Sequence, residues 1–472
     1  MSEAVDTVIR NGLVVSHDAT IRADVAIQGE SIVAVGLGGV MPRGRQEIDA
    51  TGLHVLPGAI DVHVHLRDPG FTYKEDWATG TAAAAIGGVT TVFDMPNTDP
   101  ATDSLEALAL KRDAARKKSY VNYGLYGVLY ERSMPHLKAL HDAGVIGFKC
   151  FMAETTGEFP TPHDGLILEG FELLAKLGAK CTVHAENGQI VAYRRERMQA
   201  VGRNDAHAHL ASRPEICEME AVGRAILFAE WTGMRLHIAH KSSKDALFLI
   251  RDARKRGVDV TIETCPQYLL LNSLDVERFK GLVRANPPIR EPGHAEGLWD
   301  GLRDGTIDMI ATDHAPHTWE EKSCEDIWSC ARGMAGLETQ MPLMLTEVNR
   351  GRMTLNEYVR WTSYNPAVSW GLYPRKGTIS VGSDADIAVV DMSHMGIIEQ
   401  EKLHSLHKFT PWHGRLIHGK PVHTFVRGKL VVRGGELIGA PGSGAEVVQA
   451  RHRGTPRNTA KSTEAAMMPI GV

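Results

Sequence analysis

Short runs in which apolar and polar residues alternate occupy both ends of the chain, and longer mixed runs fill the middle. From Asp6 to about Ile48, TVIRNGLVV, ADVAIQ and SIVAVG are separated by Gly, Asp and Ser, a period-two pattern that predicts a small antiparallel sheet. The same pattern returns in GTISVGSDADIAVVDM from 377 and HTFVRGKLVVRGGEL from 423. Chain termini often lie close together, so the two pieces are expected to form one composite β-sandwich domain over 1–55 plus 375–440.

Between them, over 56–374, eight apolar runs read as strands: GAIDVHVHL, TTVFDMP, YVNYGLYGV, VIGFKCFM, AKCTVHAE, RLHIAH, VDVTIETC and DMIATDHA. They alternate with helix-like stretches rich in Ala, Leu, Glu and Arg, such as WATGTAAAAIGG, SLEALALKRDAARKK, EMEAVGRAILFAEWTG and SKDALFLIRDARKRG. Eight strand–helix alternations predict an α/β fold, a closed parallel (β/α)8 TIM barrel. After about Ala440 the chain is rich in Gly, Ala, Pro, Ser and Thr, and 441–472 is expected to be a loosely ordered tail.

Composition narrows the function classes. With 43% hydrophobic and 23% charged residues over 472 positions, the chain is an ordinary globular protein with a sizeable core. Lys and Arg number 52 against 57 Asp and Glu, and a net charge of -5 offers no long-range attraction to nucleic acid or an anionic membrane. The six cysteines are scattered without a CxxC pair, which predicts reduced thiols, no structural disulfide and a cytoplasmic location. No leader-like segment opens the sequence and no ~18-residue apolar run crosses it. The 22 histidines are the unusual feature.

In a parallel barrel the working residues stand at the carboxyl ends of the strands. Strand one ends in His63 and His65, two apart and therefore on one face of an extended chain; strand four carries Lys149, strand five His184, strand six His240 and strand eight Asp313. A lone His at a strand end is usually a hydrogen-bonded core residue, and a lone Asp there is often a helix cap. Five strand ends out of eight presenting such side chains is a different matter, and imidazole plus carboxylate is the donor set of a zinc-type hydrolytic site. Lys149 conflicts with that reading unless its charge is removed, because an ammonium repels divalent cations. A buried lysine of lowered pKa can add carbon dioxide, and the resulting carbamate is an anion able to bridge two metals. Its apolar neighbours Phe148, Cys150, Phe151 and Met152 argue against a surface lysine.

GAIDVHVHLRDPG at 58–70, GFKCFM at 147–152, TVHAEN at 182–187, HIAHKSS at 237–243 and ATDHAPH at 311–317 together resemble the cyclic amidohydrolases: dihydroorotases, allantoinases, hydantoinases and dihydropyrimidinases. TCPQYLLL, ANPPIR, GLET and KGTISVGSDADIAVVD extend the resemblance over nearly the whole chain. It implies two divalent metal ions, usually zinc, with His63, His65 and Asp313 holding the more buried one, His184 and His240 the other, and N6-carboxylated Lys149 between them. It also implies attack of metal-activated water on a ring carbonyl. Asp313 is then the general base that returns its proton to the leaving nitrogen. A small cyclic amide as substrate and a homo-oligomer, dimer or tetramer, complete what it implies.

Arg67 and Asn97 resemble the dihydroorotase residues that grip the substrate carboxylate, with Asn286 and His317 at further substrate-facing positions, so the main reading is dihydroorotase-like. The structural alternatives are a salt bridge from Arg67 to Asp68 or Glu75 and a turn role for Asn97. TCPQY, the stretch 186–221 and HSLHKFTPWHGRLIHGKPV look more like allantoinases and hydantoinases, which form the alternative. Many dihydropyrimidinases carry a tyrosine five residues after the bridging lysine, where this chain has Glu154. Lys241 replaces a small apolar residue, and its one suggested role is a second anion contact. Remote alternatives are a metal-free scaffolding relative, disfavoured by the six intact ligand positions, and a base deaminase, disfavoured by the bridging lysine.

Overall fold

The computed structural model describes residues 4–37, 40–155 and 160–449. The chain opens with strands β1 (Val5–Val15), β2 (Thr20–Gln28), β3 (Ser31–Gly36), β4 (Gly44–Asp49) and β5 (His54–Pro57). Next come β6 (Ala59–Val64), β7 (Val89–Asp94), β8 (Asn122–Val128), β9 (Gly147–Phe151), β10 (Lys180–His184), β11 (Arg235–Ile238), β12 (Val260–Thr264) and β13 (Met309–Ile310). The last are β14 (Ile387–Ile397), β15 (Leu416–Val426), β16 (Lys429–Arg433) and β17 (Glu436–Leu437).

Strands β6 to β13 pair in chain order, each parallel to the next. A parallel bridge from Val64 to His314, with the His65 amide donating to the His314 carbonyl at 2.7 Å, brings the two edges of the sheet together. The eight predicted strands are all present and form a TIM-like barrel. Helices Trp77–Ile86, Leu105–Lys118, Glu215–Thr232 and Leu247–Lys255 form at the predicted stretches, the third starting three residues before its own and the others lying within theirs. Asp76 and Ser104 start the first two by accepting from the Thr79 and Ala107 amides, and Gly233, at φ 74°, ends the third in the left-handed conformation that costs glycine least.

Side-chain alternation along the strands sets the site. Phe148 and Cys150, Cys181 and Val183, and Leu236 and Ile238 pack in one apolar layer with the helix residues Phe171, Leu174, Val222 and Ile250. The residues between them, Lys149, Thr182 and His237, therefore fall on the opposite face of the sheet.

The end strands form a second sheet in the order β17-β16-β15-β14-β5-β1-β2-β3, with β4 on the other part of β1. Strand β5 lies between β1 and β14 and so joins the two chain ends. Pairing is antiparallel except where β4 and β5 run parallel to β1. Ile9, Val25, Val55, Ile387, Val389 and Phe425 make its buried core.

Two expectations need correction. Cys324 and Cys330 are paired as a disulfide, with Cα atoms 5.5 Å apart, while the other four cysteines are free and buried. The loop after β13 doubles back on itself within a sequence separation of six, a closure that no CxxC-type spacing announces. The start of the expected loose tail is tied down: the Tyr123 amide donates to Ala445, the Val447 amide donates to Tyr123, and Glu446 pairs with Arg112 at 2.6 Å. Small residues there let the backbone add to the barrel edge. The rest of the tail, 450–472, lies outside the described residues. No helix among the described residues is long and apolar enough to cross a membrane.

Lys180, on β10, is buried with hydrogen bonds only to the hydroxyls of Thr261 (3.1 Å) and Ser369 (2.7 Å), and with the Trp370 ring 4.8 Å away. Burial, reinforced by Arg235, lowers its pKa from the ordinary 10.5 to about 7. Below about 7 both folded and unfolded chains hold the proton and the cost of the buried charge is complete. Between about 7 and 10.5 only the unfolded chain holds it, so stability rises with pH, by up to about 1.4 kcal/mol per unit. Lys180→Met is expected to be more stable than the parent at pH 7, with a lead that shrinks toward pH 10 in denaturant titrations. A lead independent of pH would contradict this.

Candidate active site

All six predicted donors line one cavity at the carboxyl ends of the barrel strands. His63 Nε2 and His65 Nε2 each lie 3.3 Å from Asp313 Oδ1, and Lys149 Nζ lies 3.4 Å from His63 Nε2. On the other side, His184 Nδ1 faces His240 Nε2 at 2.9 Å. Among the described residues six non-glycine positions have positive φ, and three of them are here: Arg67 (62°), His240 (34°) and Asp313 (49°). Such conformations cost about 1–3 kcal/mol each and persist where the surroundings impose them.

Two carboxylates absent from the strand-end reading hold the imidazoles in place. Glu263 Oε1 lies 2.5 Å from His63 Nδ1 and accepts from the His240 amide at 3.0 Å, while its Oε2 lies 3.0 Å from His237 Nε2. With His63 Nδ1 tied to a carboxylate, its Nε2 is left to face the cavity. Glu186, paired with Arg213 at 2.5 Å, lies 2.8 Å from His184 Nε2 and so turns Nδ1 inward. The signal for Glu263 was a charged residue on the inward face of a strand otherwise free of charge, TIET, one position before its end; for Glu186 it was the carboxylate two residues beyond His184.

Electrostatics suit a cation. Burial, with Lys149 nearby, lowers the His63 pKa to about 4, and burial holds His65 and His240 well below their ordinary value, so these imidazoles are neutral at pH 7 as ligands must be. Burial pushes the Glu263 carboxyl up, but His63 and His237 outweigh it and keep it ionised. In the same dry cavity burial pulls the Lys149 ammonium down and pushes the Asp313 carboxyl up. His65 Nδ1 and His240 Nδ1 have no hydrogen-bond partner. His63, His65 and Asp313 offer ligand atoms within 4.8 Å of one another. Donors about 2 Å from a zinc-sized ion in tetrahedral array lie about 3.3 Å apart. That is the spacing Asp313 keeps from both histidines, so the donor set fits a divalent metal.

Arg67, Asn97 and Asn286 line the same cavity; His317 lines the adjoining one instead. Neither structural alternative for Arg67 holds: Asp68 pairs with Lys118 at 2.7 Å, and Glu75 accepts from the Thr79 hydroxyl and the Leu406 amide. Arg67 instead reaches Pro316 O and His317 Nε2, both at 3.4 Å, and its Nη1 has no partner. Asn286 Oδ1 has none either, and Asn97 donates to the Thr155 hydroxyl at 3.0 Å. Lys241 is not an anion contact; it is buried against Glu218 at 2.8 Å, beside Arg290 and Ser242, which hold the same carboxylate. Glu154 sits at the cavity wall between Arg195 and Arg332.

A model of the amidohydrolase family matches residues 54–431. The chain belongs to that family. This amidohydrolase is 36% identical over 449 residues to the L-hydantoinase of Paenarthrobacter aurescens, covering 94% of this chain and 98% of the relative. It is 39% identical over 444 residues to an allantoinase of Rubrobacter xylanophilus, covering 93% and 96%. Among solved structures it matches the L-hydantoinase (dihydropyrimidinase) from Arthrobacter aurescens with a TM-score of 0.92 at 36% identity, over 94% of this chain and all of that one. A D-hydantoinase (dihydropyrimidinase) from Thermus sp. gives 0.89 at 33% identity, over 94% and 99%. These relatives favour the allantoinase or hydantoinase alternative over the dihydroorotase-like reading, which Arg67 and Asn97 alone had suggested.

Proposed function

We propose that this amidohydrolase opens the ring of a cyclic ureide, a hydantoin or allantoin, by hydrolysing an amide C–N bond. The observation that carries the proposal is the convergence of four buried imidazoles, a buried lysine and Asp313 on one cavity, in a chain similar along nearly its whole length to hydantoinases and allantoinases. His63, His65 and Asp313 hold one divalent ion and His184 and His240 a second, zinc being the ion this donor set suits best. Lys149 would help to hold both as a carbamate of charge minus one, which its free amine forms by attacking carbon dioxide and losing a proton. Bound there, the ions lower the pKa of water toward neutrality and polarise the ring carbonyl.

The remaining steps belong to side chains. Asp313 takes the proton of the attacking water and delivers it to the departing ring nitrogen. Arg67 Nη1 donates to a ring carbonyl while Asn286 Oδ1 accepts from a ring N–H, matching the alternating polarity of a ureide, and Asn97 borders the same space. His317 acts on the substrate through Arg67, 3.4 Å away.

Dihydroorotate stays as a second reading because of one observation: Arg67 is buried with no carboxylate partner, and burial pulls it down to about 10. Purified enzyme assayed with hydantoin, allantoin, dihydroorotate and dihydrouracil is expected to open a ureide fastest. Arg67→Met should lower kcat/KM about 10- to 100-fold, the worth of a charged hydrogen bond. Preference for dihydroorotate would select the second reading, and failure to open any ring would overturn both.

A further inference from the structure

The space around the metal ligands is small, about 40 Å³, and leaves no room beside the reacting ring for a substituent arm. A second cavity of about 330 Å³, the size of an organic ligand site, adjoins it across Glu154, Thr155 and Arg332, which line both. Its other walls include Lys74, Arg195, Arg284 and Trp328.

Among the described residues the charge of this second cavity is not balanced. Lys74 pairs with Glu321 at 2.7 Å, and Arg195 and Arg332 share the single carboxylate of Glu154. Arg284 is buried, donates to the carbonyls of Trp328 and Cys330, pairs with no carboxylate among the described residues, and its Nε has no partner. Among the described residues four cations thus face two carboxylates, and Arg67 stands at the border with no salt bridge to a carboxylate. Burial, together with repulsion from Arg332 and Arg213, pulls Arg284 down to about 9. A bound anion would relieve that repulsion, and a guanidinium pairs best with a carboxylate. Glu154 itself is fixed: burial raises its pKa, but Arg332 and Arg195 outweigh this and hold it at about 2.

We infer that this second cavity is an anion subsite that selects cyclic ureides bearing a carboxylate on the arm attached to the ring carbon. The inference rests on the ring-opening reading above and adds the charge of the substituent. The ring lies against the metal ligands, and the arm passes Glu154 and Thr155 to end among Arg332, Arg195 and Arg284. No new bond is made there; the subsite contributes through binding and orientation.

The test is a series of hydantoins with carboxyalkyl arms of one to three carbons, each set against its neutral carboxamide of nearly the same shape. For the arm length that fits, wild-type enzyme should favour the acid by about 10-fold or more in kcat/KM, the worth of one charge-assisted pair. The preference should weaken as salt is raised. Arg284→Gln threatens folding because the side chain ties two loop carbonyls, so Arg195→Gln, on the helix Gly188–Ala200, and Arg332→Gln carry the test. Each should reduce the acid-to-amide ratio at least about threefold, against the same partial loss of charge. A ratio near one at every arm length, with the amides still opened, overturns the subsite and leaves the ring-opening reading standing. A preference for acids that neither substitution alters overturns its assignment to this cavity. Absence of ring opening with every compound overturns the function and the subsite together.

Discussion

Lys149→Ala is expected to lose its metal and at least about 10⁴-fold in kcat/KM, because the variant lacks the buried amine placed to become an anion between the two histidine pairs. The parent side chain is fully buried, 3.4 Å from His63 Nε2, and that burial disfavours an ammonium and favours a free amine. Alanine leaves a hole of about the size of the missing carbamate arm. Acetate or propionate supplied in solution should enter it and restore part of both metal content and turnover. Metal per chain is read by plasma mass spectrometry on protein prepared in metal-replete medium, and the intact mass of the parent should show the added carbon dioxide under gentle ionisation. Full metal occupancy in Lys149→Ala would contradict the bridge.

Asp313→Asn should lower kcat by about 10³-fold with a smaller change in KM, since the proton acceptor is lost while the amide oxygen can still serve as a weak ligand. The sign of the pH effect follows from the chemistry: a base works ionised, so wild-type kcat falls on the acid side as the carboxyl takes up a proton. That acid limb should be absent from the variant's profile. Metal content measured on the same samples separates loss of a base from loss of a ligand. A variant that keeps its metal, its rate and its acid limb would remove Asp313 from the proposed mechanism.

Both effects trace to residues that strand periodicity picks out. His63 on β6 and His65 just past its end are two apart, and Lys149 alternates with Phe148 and Cys150, so an inward set follows from the sequence once each segment is read as a strand. Glu263 obeys the same rule beside Ile262, yet attention to strand ends passed over it, since it stands one residue before the end of β12. Its importance comes from His63 and His237, which are 200 and 26 residues away along the chain. Arg284 and Arg332 carried no signal at all, because a loop arginine is normally solvated and only the fold brings these two to the wall of the second cavity.

The sequence by itself determined the eight barrel strands, the sheet shared by both chain ends, and the face of each strand that bears histidine, lysine or aspartate. Those properties are local: a period of two, a turn residue, a run of given length. Tertiary structure decided which carboxylate meets which imidazole, that Lys241 serves Glu218 rather than a ligand, that Arg67 is left without a counter-ion, and that Cys324 meets Cys330. Each of these turns on which segments the closed barrel and its loops place side by side, and a repeat of two or of 3.6 residues carries no information about which side chains then meet.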